Sequence, residues 1–270
     1  MKIICFNING IRARPHQLEE VIIRHAPDVI GLQETKVADA QFPLEDIHRL
    51  GYQALYHGQK GHYGVALLFR TPPVASFCGF PGDGEDSQRR LIKASFAAPG
   101  GDIHIYNAYF PQGESRAHPQ KFPAKAAFYR ELLATLQREH LPTDRVVVMG
   151  DMNVAPRDID IGIGEDNRKR WLRTGKCCFL PEEREWYAAL TGWGLEDTFR
   201  KRHGDREEVY SWFDYRSRGF EQEPPRGLRI DFILASENLC ARLEDSGIDL
   251  AIRAMERPSD HCPIWAKFSL

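Results

Sequence analysis

The chain has 270 residues, of which 42% are hydrophobic and 27% are charged, and its formal net charge is −2. This composition is ordinary for a globular protein and argues against a disordered chain. The N-terminus has too short an apolar run for a signal peptide, and no stretch reaches the length of a membrane-spanning helix. We therefore expect a cytoplasmic protein folded as a single domain over residues 1–270, with no membrane partner.

Six cysteines are present, and none forms a Cys-x-x-Cys pair or alternates with histidine at zinc-site spacing. A structural zinc site is therefore not expected. We predict that all six are reduced thiols, which is the usual state in the cytosol.

Short strands dominate the first half of the predicted secondary structure. Residues 3–6 predict a strand, and the helix that follows has Pro15 near its first turn and ends at Pro27. Further strands are predicted at residues 28–32, 52–56, 65–69, 91–96 and 103–108. A long helix is predicted over residues 121–140, where apolar side chains recur at three- and four-residue spacing.

The second half begins with a strand at residues 146–149, whose four apolar residues predict burial on both faces. Residues 155–180 predict a long ordered loop with short helical pieces, and residues 182–190 predict a helix. The remaining strands are predicted at residues 209–212, 228–234 and 264–268. This mixed order of many short strands and few helices predicts an α/β fold, with two packed sheets flanked by helices.

Polar side chains follow one predicted strand after another. They are Asn7 and Asn9 after the first strand, Glu34 after the second, Tyr109 after residues 103–108, and Asp151 and Asn153 after residues 146–149. Asp231 lies within the apolar segment 228–234, where a carboxylate is costly unless it is paired or bound to a metal. Asp260 and His261 lie in a loop that has a proline at each end.

If these loops meet at one edge, they form an oxygen-rich site that contains four carboxylates and one imidazole. Such a site suits Mg²⁺, with Mn²⁺ as a substitute, and contains too few histidines for a zinc enzyme. The Asp260–His261 dipeptide allows the carboxylate to orient the imidazole, which as a cation binds a phosphate oxygen. Because no Gly-x-Ser-x-Gly elbow or Walker-type loop is present, acyl transfer and P-loop nucleotide hydrolysis are excluded.

Each of these residues also has an ordinary structural interpretation. Gly, Asp and Asn are common turn formers, so the segment after residue 149 is consistent with a simple turn. Glu34 is consistent with a solvated acid, His261 with a surface residue and Tyr109 with a packing residue. Asp231 is the hardest to explain in this way, and the recurrence at strand ends favours a site.

Three basic clusters lie in the second half of the chain, although the net charge is slightly negative. They are residues 168–176, with five positive charges and no acid, residues 200–203, and the set Arg216, Arg218, Arg226 and Arg229. A solvated charged face is the simpler interpretation of one such cluster. Three clusters, two of them beside Trp or Tyr, favour a groove for a phosphate backbone.

Several segments resemble the endonuclease/exonuclease/phosphatase superfamily. The motifs are Asn-Ile-Asn-Gly at 7–10, Leu-Gln-Glu-Thr-Lys at 32–36, Gly-Asp-Met-Asn at 150–153, Arg-Ile-Asp at 229–231 and Ser-Asp-His at 259–261. Residues 56–66, 109–116, 167–176 and 211–216 are similar to the bacterial abasic-site endonucleases of this superfamily. The resemblance runs nearly end to end, and it implies a four-layered α/β sandwich with the site where the loops of the two sheets meet.

The same resemblance implies a Mg²⁺-dependent nuclease that acts as a monomer on double-stranded DNA with abasic sites or 3′ ends. The activities of the family are 3′→5′ exonuclease on duplex DNA, hydrolysis 5′ to abasic sites, 3′-phosphatase and hydrolysis of RNA in RNA–DNA hybrids. The relative strength of these activities and the number of metal ions stay open.

The resemblance further implies roles for single residues. Glu34 would ligate the metal with Asn7 beside it, and the full predicted set of metal-site residues is Asn7, Glu34, Asp151, Asn153 and Asp260. Asn153 would also hold the phosphate, and Tyr109 would bear on the phosphate or the leaving group.

Four residues would act on the water and on the charge of the phosphate. Asp151 would position or deprotonate the attacking water. His261, oriented by Asp260, would stabilise charge on the phosphate, and Asp231 would tune the water or His261. Which acid is the general base stays open.

Eight positions match residues that contact DNA in the family, namely Arg90, Gln112, Lys121, Arg170, Lys176, Trp212, Phe213 and Arg216. Trp212 and Phe213 would wedge or stack beside an abasic gap, where unstacking costs least. The chain departs from the family pattern at residues 223–225, which lengthen one DNA-facing segment, and at Cys178, an additional thiol.

Two other functions would account for part of this residue pattern. A phosphodiesterase acting on lipid or inositol phosphates would share Glu34, Asp151 and His261, but it has no need of the basic segment 168–176 or of Trp212. A non-catalytic DNA-binding protein has no need of the complete set of site residues.

Overall fold

Two six-stranded sheets form the centre of the computed structural model, which describes residues 1–205 and 209–270. The strands are β1 (Lys2–Asn7), β2 (Val29–Gln33), β3 (Gln53–His57), β4 (Val65–Phe69), β5 (Ala75–Cys78), β6 (Leu91–Phe96), β7 (Ile103–Tyr109), β8 (Val146–Asp151), β9 (Leu195–Asp197), β10 (Asp231–Ser236), β11 (Leu243–Ile248) and β12 (Ile264–Phe268). The first sheet has the order β11-β12-β1-β2-β4-β3, and the second has the order β5-β6-β7-β8-β10-β9.

Helices lie on the outer faces of the two sheets and in the segments that connect the strands. They are α1 (Pro15–His25), α2 (Leu44–Arg49), α3 (Lys121–Glu139), α4 (Glu165–Thr174), α5 (Pro181–Gly192), α6 (Thr198–His203), α7 (Glu237–Cys240) and α8 (Leu250–Arg253). Leu18 of α1 and Ile47 of α2 pack on the first sheet, and Leu132 of α3 and Leu190 of α5 pack on the second. The four layers confirm the predicted α/β sandwich. Within the described ranges, no helix combines the length and apolarity needed to cross a bilayer.

Alternation along the strands explains why the two sheets pack face to face. In a strand, successive side chains point to opposite faces. Cys5 and Leu67 of the first sheet therefore meet Ile105 and Met149 of the second in a common core. Ile4, the neighbour of Cys5, points outward and packs under the helices.

Two parallel strand pairs place the functional loops at one edge. β1 pairs with β2 in parallel, as β7 does with β8, and all the other sheet pairings are antiparallel. The carboxyl ends of parallel strands lie on the same side of a sheet, and they deliver Asn7, Glu34, Tyr109 and Asp151 there. β10 runs antiparallel to β8, and Asp231 at its start lies opposite Asp151.

Several predicted elements differ from the structure. Residues 155–180 include the ten-residue helix α4, so the basic segment lies largely on a helix. Residues 209–212 form no strand, because Trp212 makes only single bridges, to Leu228 and to His261. The predicted strand 228–234 starts at Asp231, which places this residue at a strand end. β5, β9 and β11 were not predicted, because β5 is an exposed edge strand, β9 has only three residues and β11 carries acidic residues.

Replacing Gly150 with alanine is expected to lower the free energy of unfolding by about 3 kcal/mol. Gly150 lies opposite Ala108 in the β7–β8 ladder, and an added Cβ would lie 1.8 Å from the carbonyl oxygen of Ala108. Because this neighbour is backbone, the two central strands would have to separate. Urea unfolding measures the effect.

Gly192→Ala at the end of α5 is the matched control, since no atom lies within 4 Å of an added Cβ there. This control should unfold at nearly the same urea concentration as the wild type. A Gly150→Ala variant as stable as the Gly192→Ala variant would contradict the expectation.

Candidate active site

Glu34, Asp151 and His261 form the centre of the site. One ligand atom from each residue lies within 4.8 Å of those of the other two. They share a cavity of about 360 Å³ with Tyr109 and Asn153. The sequence places these residues far apart, and the convergence of the strand ends brings them together.

Asn7 links the two carboxylates of this centre. Its side-chain nitrogen donates to Glu34 Oε1 and to Asp151 Oδ2, both at 2.9 Å. Its side-chain oxygen accepts a hydrogen bond from the backbone N–H of Asn9 at 3.1 Å. Asn7 therefore lies in the predicted metal site, but it presents N–H groups to the carboxylates rather than an oxygen ligand.

Glu34 is held in its charged form by a neighbouring lysine. Lys36 Nζ lies 2.8 Å from Glu34 Oε2. Burial would raise the pKa of Glu34, but the charge and hydrogen bond of Lys36, together with Asn7, hold that pKa below its ordinary value. Lys36 had no predicted role, although it lies in the same motif, two residues after Glu34.

Asp151 is almost completely buried, and its environment raises the pKa of its carboxyl group. Burial raises the pKa of Asp151, and the nearby carboxylates of Asp231 and Glu34 raise it further. His261 and Asn7 act in the opposite direction without cancelling the effect. A carboxyl group with a raised pKa is suited to proton transfer near neutral pH.

Asp231 orients the imidazole of His261. The Nδ1 atom of His261 lies 2.9 Å from Asp231 Oδ2, and Nε2 lies 3.7 Å from Asp151 Oδ2. Ser211 fixes Asp231 in turn by donating to Oδ2 at 2.6 Å. Burial lowers the pKa of His261, but the charges of Asp231 and Asp151 outweigh burial and raise it, so the imidazolium is favoured.

The prediction that Asp260 orients His261 is wrong. Asp260 accepts hydrogen bonds from Asn9 Nδ2 at 2.8 Å and from the indole nitrogen of Trp212 at 3.0 Å. Asp260 lies at a bend in the chain, so its side chain and that of His261 face different partners. Asp260 is not part of the possible metal-binding group formed by Glu34, Asp151 and His261, although all four residues line the same cavity.

Asn153 and Tyr109 frame the cavity. Asn153 has a left-handed backbone with φ of 54°, and its side chain donates to the carbonyl of Phe110 at 3.1 Å. Burial raises the pKa of the Tyr109 hydroxyl well above its ordinary value, and Glu34 and Asp151 raise it further. Tyr109 therefore faces the site as a neutral hydrogen-bonding group.

Half of the eight predicted DNA-binding residues line this cavity. Gln112, Lys176, Trp212 and Arg216 line it, and Lys176 Nζ lies 3.8 Å from the ring centre of Trp171. Cations beside aromatic rings suit the backbone and bases of a nucleic acid. Trp171 had no predicted role, although it lies within the basic segment.

Three further predicted positions are not among the residues that line this cavity. Arg170 is exposed on α4 and bonds Asn167, and Lys121 is paired with Glu114 at 2.5 Å. Arg90 is largely buried, and its guanidinium donates to the Tyr109 carbonyl at 2.9 Å. It therefore supports Tyr109 as well as lining the surface.

The predicted stacking of Phe213 on DNA is wrong for this structure. Phe213 is only 2% exposed and packs inward beside Tyr210 and Cys262. Its ring meets Phe220 edge-on at a centroid distance of 5.0 Å. Trp212, its neighbour in sequence, takes the outward position and lines the cavity.

The donor set fits a hard divalent cation. Glu34 and Asp151 contribute carboxylate oxygens within reach of one ion, and the described part of the cluster contains no thiol. The repulsion between these two buried carboxylates would fall if a cation lay between them. The geometry therefore supports a metal centre at this position.

Comparisons with known proteins point in the same direction. A model of the endonuclease/exonuclease/phosphatase family matches residues 4–261. Exodeoxyribonuclease III of Haemophilus influenzae is 59% identical over 99% of this chain and 100% of its own length. An abasic-site (AP) endonuclease from Archaeoglobus fulgidus superimposes with a TM-score of 0.90 at 34% identity, each chain covered completely. A Neisseria 3′ phosphatase bound to a product DNA hairpin superimposes with a TM-score of 0.89 at 34% identity, again with complete coverage of both chains.

Proposed function

Since the chain belongs to the endonuclease/exonuclease/phosphatase family and is a phosphodiester hydrolase of the DNA-repair nuclease type, we propose that it cleaves duplex DNA on the 5′ side of abasic sites. We also propose that it removes nucleotides from 3′ ends, and that the same site hydrolyses 3′-phosphates and RNA in RNA–DNA hybrids. The observation that carries this proposal is the Asp231–His261 pair, which lies beside the Glu34–Asp151 cluster in a cavity lined by Trp212 and Lys176.

Each reaction is a displacement in which water attacks phosphorus, an ester P–O bond breaks, and the leaving oxygen takes up a proton. Asp151 orients the water and accepts its proton, and Asn153 holds a phosphate oxygen. His261, kept cationic by Asp231, donates a hydrogen bond to the phosphate as negative charge develops. Glu34 and Asp151 would hold Mg²⁺ or Mn²⁺, which when bound offsets negative charge on the phosphate.

The surface around the cavity supports DNA as the substrate. Arg170, Lys176 and Arg216 supply positive charge for the phosphate backbone, and Trp212 offers a ring for stacking. A phosphodiesterase acting on lipid or inositol phosphates would need only the acidic cluster and His261. The combination of cations and a half-buried indole on the cavity wall favours the nucleic acid.

We further propose that the chain is one domain and acts as a monomer in the cytoplasm. Residues from both sheets share one core, which supports a single folding unit over residues 1–270. All the site residues come from one chain, so no second copy is needed to complete the site.

A labelled duplex with one central abasic site is expected to be nicked immediately 5′ to the lesion in Mg²⁺. The nick should disappear when a chelator removes the metal, because the phosphate charge then has no divalent counter-ion. Product size on a denaturing gel measures the position of the cut.

A duplex of the same sequence with an intact base in place of the lesion is the control. It should lose nucleotides only from its 3′ ends. Cleavage that persists in the chelator would contradict the metal-dependent mechanism. An intact abasic duplex, combined with hydrolysis of small phosphate esters, would favour the lipid or inositol phosphate alternative.

A further inference from the structure

A lysine and a glutamate lie completely buried behind the active site. Lys125 of α3 and Glu183 of α5 have no exposed side-chain surface, and they form an ion pair. A buried ion pair adds little net stability, because both groups lose their hydration. Stability alone therefore does not explain why this pair is present.

The ammonium group of Lys125 also holds two carbonyl groups. Lys125 Nζ donates to the carbonyl oxygen of Asn153 at 2.8 Å and to that of Gln112 at 3.3 Å. Together with Glu183, these acceptors use all three N–H groups of the ammonium. The second oxygen of Glu183 accepts from the backbone N–H of Leu180 at 2.8 Å.

Both carbonyls belong to residues that line the active-site cavity. Gln112 lies in the segment after β7, and Asn153 lies directly after β8. Asn153 has a left-handed backbone, a conformation that needs support from its surroundings. Tyr129, one turn after Lys125, donates to the neighbouring carbonyl of Met152 at 2.8 Å.

We propose that Lys125 is a positioning residue for hydrolysis, because it fixes Asn153 and Gln112 relative to the scissile phosphate. Glu183 serves as its counter-ion. This inference rests on the proposed nuclease function. A lysine is required because one flexible donor with three N–H groups joins two loops and a carboxylate.

Three variants separate the charge of the pair from its hydrogen bonds. Lys125→Met removes the donor, Glu183→Gln removes the counter-ion but keeps an acceptor for Leu180, and the double variant removes both charges. Each single variant leaves one buried charge unpaired, so its Tm should fall by about 10 °C. The double variant buries no charge and should melt close to the wild type.

Turnover should depend on the ammonium donor of Lys125 rather than on the stability of the variant. Lys125→Met and the double variant should lower kcat on an abasic duplex by roughly tenfold to a hundredfold, because Asn153 is no longer held in place. Glu183→Gln keeps the donor and should retain a kcat within about threefold of the wild type. The Kd for the duplex, measured in chelator, should be unchanged in all three variants.

A double variant with the kcat of the wild type would overturn the proposal. If the double variant does not fold, the kcat values of the two single variants, measured below their melting temperatures, test the proposal instead. Equal losses of kcat in Lys125→Met and Glu183→Gln would then show a merely structural pair. The wild type is assayed in parallel. If the proposed nuclease function is wrong, the wild type itself will not cut the abasic duplex, and this outcome is distinct from a failure of the Lys125 proposal.

Discussion

Replacing Asp151 with asparagine is expected to lower kcat at an abasic site by about 10³-fold to 10⁴-fold. The carboxylate lies at the meeting point of Asn7, Glu34 and His261, and its environment raises its pKa. Asparagine has nearly the same shape, but it accepts no proton and provides no charge for a cation. Single-turnover kinetics on a labelled abasic duplex measures the loss.

Binding of the duplex should survive this substitution. Trp212, Lys176 and Arg216 lie on the cavity wall and do not depend on the charge of Asp151. The Kd measured in chelator should therefore stay within about threefold of the wild type, since removing a buried carboxylate leaves the cationic surface intact. Asp102→Asn, which removes an exposed acid, is the matched control and should have wild-type turnover.

A kcat for Asp151→Asn within about fivefold of the wild type would contradict a role in proton transfer, because general acid–base groups contribute far more. Loss of duplex binding with unchanged single-turnover kinetics at saturation would instead place Asp151 in substrate recognition.

The sequence was sufficient to predict that the polar side chains at the strand ends come together in one cavity, because strand ends are local features. A buried strand that stops at Gly150 delivers Asp151 and Asn153 to a sheet edge, whatever lies elsewhere in the chain. The parallel pairs β1–β2 and β7–β8 each place their strand ends at one edge of a sheet, and the face-to-face packing of the two sheets brings Glu34 and Tyr109 together.

The partners of these residues could not be predicted in the same way. Asp260 adjoins His261 in sequence, but Asp231 contacts the imidazole because β10 runs beside β8. Phe213 and Trp212 are also adjacent, and the packing of Phe213 against Tyr210, Cys262 and Phe220 decides which ring is buried. The contacts of Lys125 could not be predicted either, because a lysine on an amphipathic helix is usually exposed to solvent.

Removing His261 is expected to lower kcat by about 10²-fold to 10³-fold, as the loss of one charged donor to the phosphate does. Asp231→Asn should act through the same group. Asp231 holds Nδ1 of His261 at 2.9 Å and favours the imidazolium, so asparagine both loosens the ring and weakens its charge. We expect kcat to fall by about 10²-fold in that variant.

The double variant His261→Ala/Asp231→Asn tests whether the two residues act as one unit. If Asp231 works through the imidazole, the double variant should be no more than about threefold slower than His261→Ala alone. Independent roles would multiply the two losses instead. Thermal unfolding gives a second readout, because His261→Ala leaves the buried Asp231 carboxylate unpaired and the double variant removes that charge.

Asp260→Asn is the matched control for this cycle, since its carboxylate adjoins His261 in sequence and contacts Trp212 instead. Its main effect should be a weaker Kd for the abasic duplex, because the indole is less firmly held, with kcat reduced far less than in Asp231→Asn. Two results together would assign the orienting role to Asp260. They are a fall of kcat in Asp260→Asn as large as that in Asp231→Asn, and losses that multiply in the His261→Ala/Asp231→Asn double variant. The geometry favours Asp231, because a hydrogen bond to Nδ1 leaves Nε2 free to face the phosphate.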